Sequence, residues 1–326
     1  MGANSKIEWT DHTASPWYGC AHREFEDGST HPGCQNCYAE AMSSRNPHTL
    51  GVWGTGGVRV KSKSFIANLR KWNREAQAAG KVVSVFPSLC DPFEDRPELE
   101  PWRQEMFAML DECQFVRLLL LTKRPENVRR MWPRCEEDYE DDEGIAHATY
   151  YRPHVWLGCS VSNQETADRL VPELLKCRDL VPVLFVSAEP LLGPINLRLE
   201  CPGCALCWAS KDGVTKLGQC YEEGASIDWV IAGGESGPKA RPMHPDWARS
   251  LRDQCQAAGV PFFFKQWGEW LPTSLQDWTP DQITSFDDGV RMWRHGYLSR
   301  KWEPEQMRKL NGREWSEFPQ VEAAHA

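Results

Sequence analysis

Short apolar runs recur along the chain, each closing on a small or polar loop: residues 82–86, 117–121, 154–157, 181–186, 227–231 and 261–264. Each has the length and the β-branched or aromatic content of a buried strand. Between them, apolar residues return at helical spacing over 65–79, 99–113, 164–176 and 245–258. Gly80 and Gly259 sit just past two of these segments, where a helix C-cap belongs. The alternation predicts a parallel α/β architecture, barrel-like or open-sheet.

In such folds the chemistry sits on loops at the carboxyl ends of the strands. Those loops are polar for their apolar surroundings: Ser88-Leu89-Cys90-Asp91-Pro92, Thr122-Lys123-Arg124, Ser160-Val161-Ser162-Asn163, Ser187-Ala188-Glu189-Pro190, Gly233-Gly234-Glu235-Ser236-Gly237 and Lys265-Gln266-Trp267-Gly268. Any one reads as a cap or turn; in succession they read as the rim of one site. Two stretches interrupt the alternation. Residues 135–144 are strongly acidic and read as a solvated loop. Residues 201–226 carry four cysteines and read as an insertion. The expected organisation is a β/α barrel over 1–270 with that insert, followed by an extension, 271–326, that packs on the barrel.

Composition narrows the picture. No run approaches the ~18 consecutive apolar residues of a membrane span, and the N-terminus lacks a signal pattern, so a cytoplasmic protein is expected. With 37 basic and 46 acidic residues the net charge is −9, which argues against bulk electrostatic coating of nucleic acid but leaves room for a single nucleotide. Thirteen cysteines in a reducing compartment read as metal ligands and buried thiols rather than disulfides.

Cys20, with Cys34 and Cys37 in a Cys-x-x-Cys pair, supplies three thiols, which suits a four-iron cluster with one open iron. A zinc knuckle completed by His22 or His31, or unrelated buried thiols, are the alternatives. Cys201, Cys204, Cys207 and Cys220 suit a closed site, zinc or an auxiliary 4Fe-4S cluster.

The opening Lys6-Ile7-Glu8-Trp9-Thr10-Asp11-His12-Thr13, Pro16-Trp17-Tyr18-Gly19-Cys20 and Gly33-Cys34-x-x-Cys37-Tyr38-Ala39-Glu40 resembles a phage and prophage protein family catalogued without a function. The likeness continues through Leu121-Thr122-Lys123-Arg124-Pro125, Glu189-Pro190-Leu191-Leu192-Gly193-Pro194, Gly233-Gly234-Glu235-Ser236-Gly237, Phe264-Lys265-Gln266-Trp267-Gly268 and Gly312-Arg313-Glu314-Trp315. That family looks like a branch of the radical S-adenosylmethionine (SAM) superfamily, with some similarity to spore photoproduct lyases. One departure is the thirteen-residue spacer, 21–33, between Cys20 and Cys34.

The resemblance implies a partial (β/α) barrel whose Cys20, Cys34 and Cys37 hold a 4Fe-4S cluster. SAM would lie among Tyr38, Ser88, Asp91, Lys123, Arg124, Ser160, Ser162, Asn163, Glu189, Gly233, Gly234, Glu235 and Ser236. An electron donor such as flavodoxin would be the partner. From their own positions, Lys265, Gln266 and Trp267 at the end of the last strand would meet the substrate, and Cys90 or Cys159, which otherwise read as buried small hydrophobes, would return a hydrogen atom from a strand end. The implied activity is radical modification of a nucleic-acid base, as an isomerase in thymidine hypermodification or a lyase repairing a lesion, with a nucleotide or DNA as substrate. A non-catalytic, zinc-stabilised phage binding protein is the alternative.

Overall fold

The computed structural model describes residues 5–141, 144–149, 151–199, 226–272, 283–294 and 307–320. All six expected strands form, and a short seventh precedes them. They are β1 (His12–Thr13), β2 (Val83–Phe86), β3 (Val116–Thr122), β4 (Val155–Val161), β5 (Val183–Ala188), β6 (Trp229–Gly233) and β7 (Phe262–Gln266). The strands lie side by side in chain order, every pair parallel. The first and last do not pair, so the sheet is an open half-barrel.

A parallel sheet buried on both faces needs apolar residues at odd and even positions alike. That is why β4 and β5 are buried at every residue and read as continuous runs. The outward set, including Val85, Leu118, Leu157, Val186, Val230 and Phe262, packs under the helices. Besides α1 (Tyr38–Ser43), whose Ala39 packs separately with Tyr18 and Leu89, the helices are α2 (Phe65–Ala78), α3 (Glu100–Glu112), α4 (Gln164–Leu175) and α5 (Pro245–Ala258). Leu69 and Trp72 of α2, Met106 and Leu110 of α3, Leu170 and Leu174 of α4 and Leu251 of α5 join this core. Each such side chain contributes roughly 1.5–3 kcal/mol by leaving water.

The inward set forms a second, aromatic core: Phe86, Leu119, Trp156, Val183, Phe185, Trp229, Ile231 and Phe263, with Trp9 from the preceding segment. Trp229 is its hub, with ring centroids 6.3 Å from Trp9, 5.8 Å from Trp156, 5.7 Å from Phe185 and 6.3 Å from Phe263. Beyond this layer, toward the carboxyl ends, the inward positions become Ser160, Ser187, Gly233 and Lys265. The strand period of two carries the same face from aromatic floor to polar mouth.

The exposed edge of β7 is covered by a late segment. Phe264 N–H donates to the Trp315 carbonyl at 2.8 Å, Glu317 N–H to the Phe262 carbonyl at 3.2 Å, and Trp267 N–H to the Met307 carbonyl at 3.0 Å. A free strand edge is thereby paired within the chain. A small antiparallel sheet, Trp270–Pro272, Arg291–Arg294 and Ile283–Ser285, lies in the same part of the sequence.

Two expectations are corrected here. The acidic stretch expected to be a loop pairs as an antiparallel hairpin, Arg134–Asp141 with Gly144–Thr149, its backbone groups satisfying each other. The fold is α/β, but the radical-SAM-type barrel built around cysteine metal sites is not found. Among the described residues no group of three or more His, Cys, Asp or Glu is arranged to hold a metal ion. Cys201, Cys204, Cys207 and Cys220 lie outside the described residues. Among the described residues no helix is long and apolar enough to cross a membrane.

Candidate ligand site at the carboxyl ends of the strands

The loop that carries the first three cysteines folds across the mouth of the half-barrel, and three ion pairs fasten it there. Arg59 and Glu94 are joined by two hydrogen bonds, their side chains 0% and 3% exposed. Glu94 also accepts from Ala21 N–H at 3.1 Å, and Arg59 donates to the carbonyls of Val52, Gly54 and Gly57. Arg124 donates to Asp91 at 2.8 Å and to the Ala21 carbonyl at 3.0 Å. Arg241 grips Glu235 at 2.6 Å and 2.9 Å and reaches the Pro32 carbonyl at 2.9 Å.

Asp91 is therefore satisfied from within. Its carboxylate accepts from Thr122 Oγ1 at 2.6 Å, Phe93 N–H at 3.0 Å, Lys123 N–H at 3.1 Å and Arg124. Burial alone would raise its pKa, but the Arg124 charge and these donors outweigh that and hold the carboxyl below its usual range. A depressed carboxyl contributes stability that is complete above the unfolded value of about 3.9 and is lost as pH falls through the folded value. Asp91→Asn is thus expected to flatten the acid limb of the stability curve below about pH 5, measured by denaturant unfolding at stepped pH.

The thiols do not assemble as a metal-binding set. Cys20 Sγ turns back to donate to the Ala21 carbonyl at 3.0 Å, with Arg124 Nη1 at 3.8 Å. Cys34 is buried and accepts from Arg23 N–H at 3.5 Å. Burial raises the thiol pKa of Cys20, Cys37 and Cys90, favouring the protonated form that is neither ligand nor nucleophile. The zinc-knuckle alternative is also overturned. His31 accepts from Gly33 N–H on Nδ1 at 3.1 Å and bonds the Ser160 carbonyl through Nε2 at 3.0 Å, so both ring nitrogens are engaged. His22 Nε2 lies 2.8 Å from Glu40 Oε2. The described residues therefore fit neither a 4Fe-4S cluster nor zinc, and the expectations of SAM cleavage, of a hydrogen-atom role for Cys90 and of a flavodoxin-like donor lose their basis.

The remaining rim residues divide between scaffold and mouth. Asn163 caps α4, accepting from Thr166 N–H at 3.0 Å in a capping box. Tyr38 donates to the Ser88 carbonyl at 3.0 Å, and Gln266 donates to Ser236 Oγ at 2.9 Å. Trp267, expected to stack on a substrate, is 4% exposed; it packs on Phe264 at 5.1 Å and donates to the Lys309 carbonyl at 2.9 Å. Its amphipathic ring seats the late segment, which is the usual use of a buried tryptophan. Ser162 Oγ is buried beneath Gly33 without a hydrogen-bond partner.

What faces the mouth is a smaller group. Lys265 Nζ and Glu189 Oε1 are 2.8 Å apart, 22% and 13% exposed, and Ser187 Oγ donates to Glu189 Oε2 at 3.1 Å. Ser160 Oγ donates to the Glu189 carbonyl at 3.3 Å. Lys123, half-buried at the end of β3, has no carboxylate partner among the described residues. Its charge bears on His31 and Cys37; together with burial, the larger cause, it holds His31 well below the ordinary imidazole range, hence neutral.

Fold and site together define an open parallel α/β half-barrel with an aromatic floor and a charged mouth under a clamped N-terminal loop. The chain belongs to the family described as protein of unknown function (DUF5131), whose match spans residues 4–319. No curated protein and no solved structure matches it.

Sequence reasoning missed Arg59, Glu94 and Arg241. Arg59 and Glu94 stand 35 positions apart in separate loops, and no local pattern connects them.

Proposed function

We propose that the mouth of the half-barrel binds a small anionic metabolite, with a phosphate of the nucleotide type as the favoured group. The observation that carries this reading is Lys123, a half-buried cation left without a carboxylate where parallel α/β folds place their ligands. A partly buried cation without a counter-charge is better satisfied once an anion arrives to pair with it. The net charge of −9 makes the attraction local, which suits one small anion and disfavours a long duplex footprint. A reducing, cytoplasmic setting belongs to the same reading, since the eight cysteines whose side chains are described are all free thiols.

Isothermal titration with nucleoside 5′-monophosphates, ribose 5-phosphate and inorganic phosphate tests it. The phosphate esters are expected to bind the wild-type protein, and Lys123→Met to lose about tenfold or more in affinity, the scale of one charge-assisted contact. Equal binding by Lys123→Met, or no binding by any phosphate ester, rejects the reading.

A further inference from the structure

Most charged pairs near the mouth also engage backbone: Arg124 and Arg241 each reach a carbonyl of the N-terminal loop, while Arg59 binds the carbonyls of its own loop and its partner Glu94 accepts from Ala21 N–H. Glu189 and Lys265 do not. Lys265 Nζ has Glu189 as its partner, and the Glu189 carboxylate has Lys265 and the neighbouring Ser187. An ammonium carries three donors and a carboxylate about four acceptor positions, so both groups keep unused capacity. Both are partly exposed at the mouth.

The backbone is also shaped around this pair. A Cβ on Gly233 would stand 2.9 Å from Glu189 Oε1, so the absence of a side chain there leaves room for the carboxylate. Below, the inward face is built of flat rings, Phe185, Trp229 and Phe263. A donor and an acceptor held 2.8 Å apart, over a floor closed by buried rings, match the edge of a planar group that presents an acceptor beside a donor.

We propose that the Glu189–Lys265 pair reads the polar edge of a planar heterocycle, a nucleobase, whose phosphate is held by Lys123. Lys265 donates to a ring carbonyl or ring nitrogen, and Glu189 accepts from the adjacent N–H. This rests on the anion site proposed above and extends it from a phosphate to a nucleotide. A bare sugar phosphate satisfies Lys123 and leaves the pair unread.

The test compares nucleoside 5′-monophosphates with ribose 5-phosphate, using the full chain and the double variant Glu189→Leu with Lys265→Met. That variant removes both charges together, so no unpaired charge remains at the mouth. Its fold is checked by circular dichroism and by retained ribose 5-phosphate binding. Wild type is expected to prefer a nucleotide over ribose 5-phosphate by about tenfold or more, and the folded double variant to lose that preference while keeping its affinity for ribose 5-phosphate. Equal wild-type affinity for both ligands, or a preference that survives in the double variant, overturns this inference and leaves the anion site standing. Absence of binding by every phosphate ester overturns both.

Discussion

Glu94→Ala is expected to destabilise the protein by about 3–5 kcal/mol, the cost of leaving a buried charge without its partner. The Arg59 side chain is 0% exposed and has no route to water. Its remaining bonds to the carbonyls of Val52, Gly54 and Gly57 provide dipoles but no counter-charge. Ala21 N–H would lose its acceptor in the same step. The change should therefore loosen residues 19–22 and 51–60 together. Urea denaturation measures the loss, and hydrogen exchange should show both segments losing protection while β3 to β6 keep theirs. A Glu94→Gln variant should recover part of the difference by restoring the acceptor without the charge. A loss below about 1 kcal/mol in Glu94→Ala would mean that the pair does not hold the loop.

Gly234→Ala is the second large expected effect. A Cβ there would lie 1.8 Å from the Trp267 carbonyl oxygen, a backbone atom that cannot rotate away. Relief requires the loop after β6 to part from the loop after β7, breaking the 2.9 Å bond from Gly234 N–H to the Gln266 carbonyl. Overpacking of about 1–3 kcal/mol plus a lost hydrogen bond of about 1 kcal/mol puts the expected loss at about 2–4 kcal/mol. The same movement would unseat Trp267, so near-ultraviolet circular dichroism should change with the unfolding midpoint. An unchanged midpoint and spectrum would show that the two loops separate freely.

The sheet and helices were legible because their apolar patterns are strong. Helix α5 forms over the predicted residues: Pro245 fits its first turn, His244 caps it through Nδ1, and Gly259 takes the left-handed conformation at φ 68°. Strand β4 was expected to stop at residue 157 but runs to Val161. Gly158, Cys159 and Ser160 look like loop residues in sequence, yet the inward face there borders the mouth and tolerates small and polar side chains. Strand β1 has two residues, too few for any period to register.

The polar mouth at the strand ends was legible for the same reason, since polar residues at the ends of apolar strands stand out. Its internal pairing was not. Asp91, Arg124 and Glu235 look available in sequence, but Asp91 and Arg124 engage each other from 33 positions apart and Arg241 engages Glu235. Spacing of Cys20, Cys34 and Cys37 says how near three thiols can come; it does not say which way each Sγ points, and here Cys20 turns to a carbonyl. Trp267 beside Gln266 reads equally as rim or core, and only the later segment carrying Lys309 decides for core.

The rings packed edge-on and tilted around Trp229 make the half-barrel blind-ended. With Trp9, Trp156, Phe185, Trp229 and Phe263 each at most 3% exposed, the strand amino ends offer no through-passage. Whatever enters between the carboxyl ends must leave by the same doorway, past the loop that Arg59, Arg124 and Arg241 fasten down. Arrival and departure then compete for one threshold, so a second molecule cannot push the first out from behind. Variants that weaken the ion pairs of that loop are therefore expected to shorten the residence of a ligand held at the mouth as well as to reduce stability.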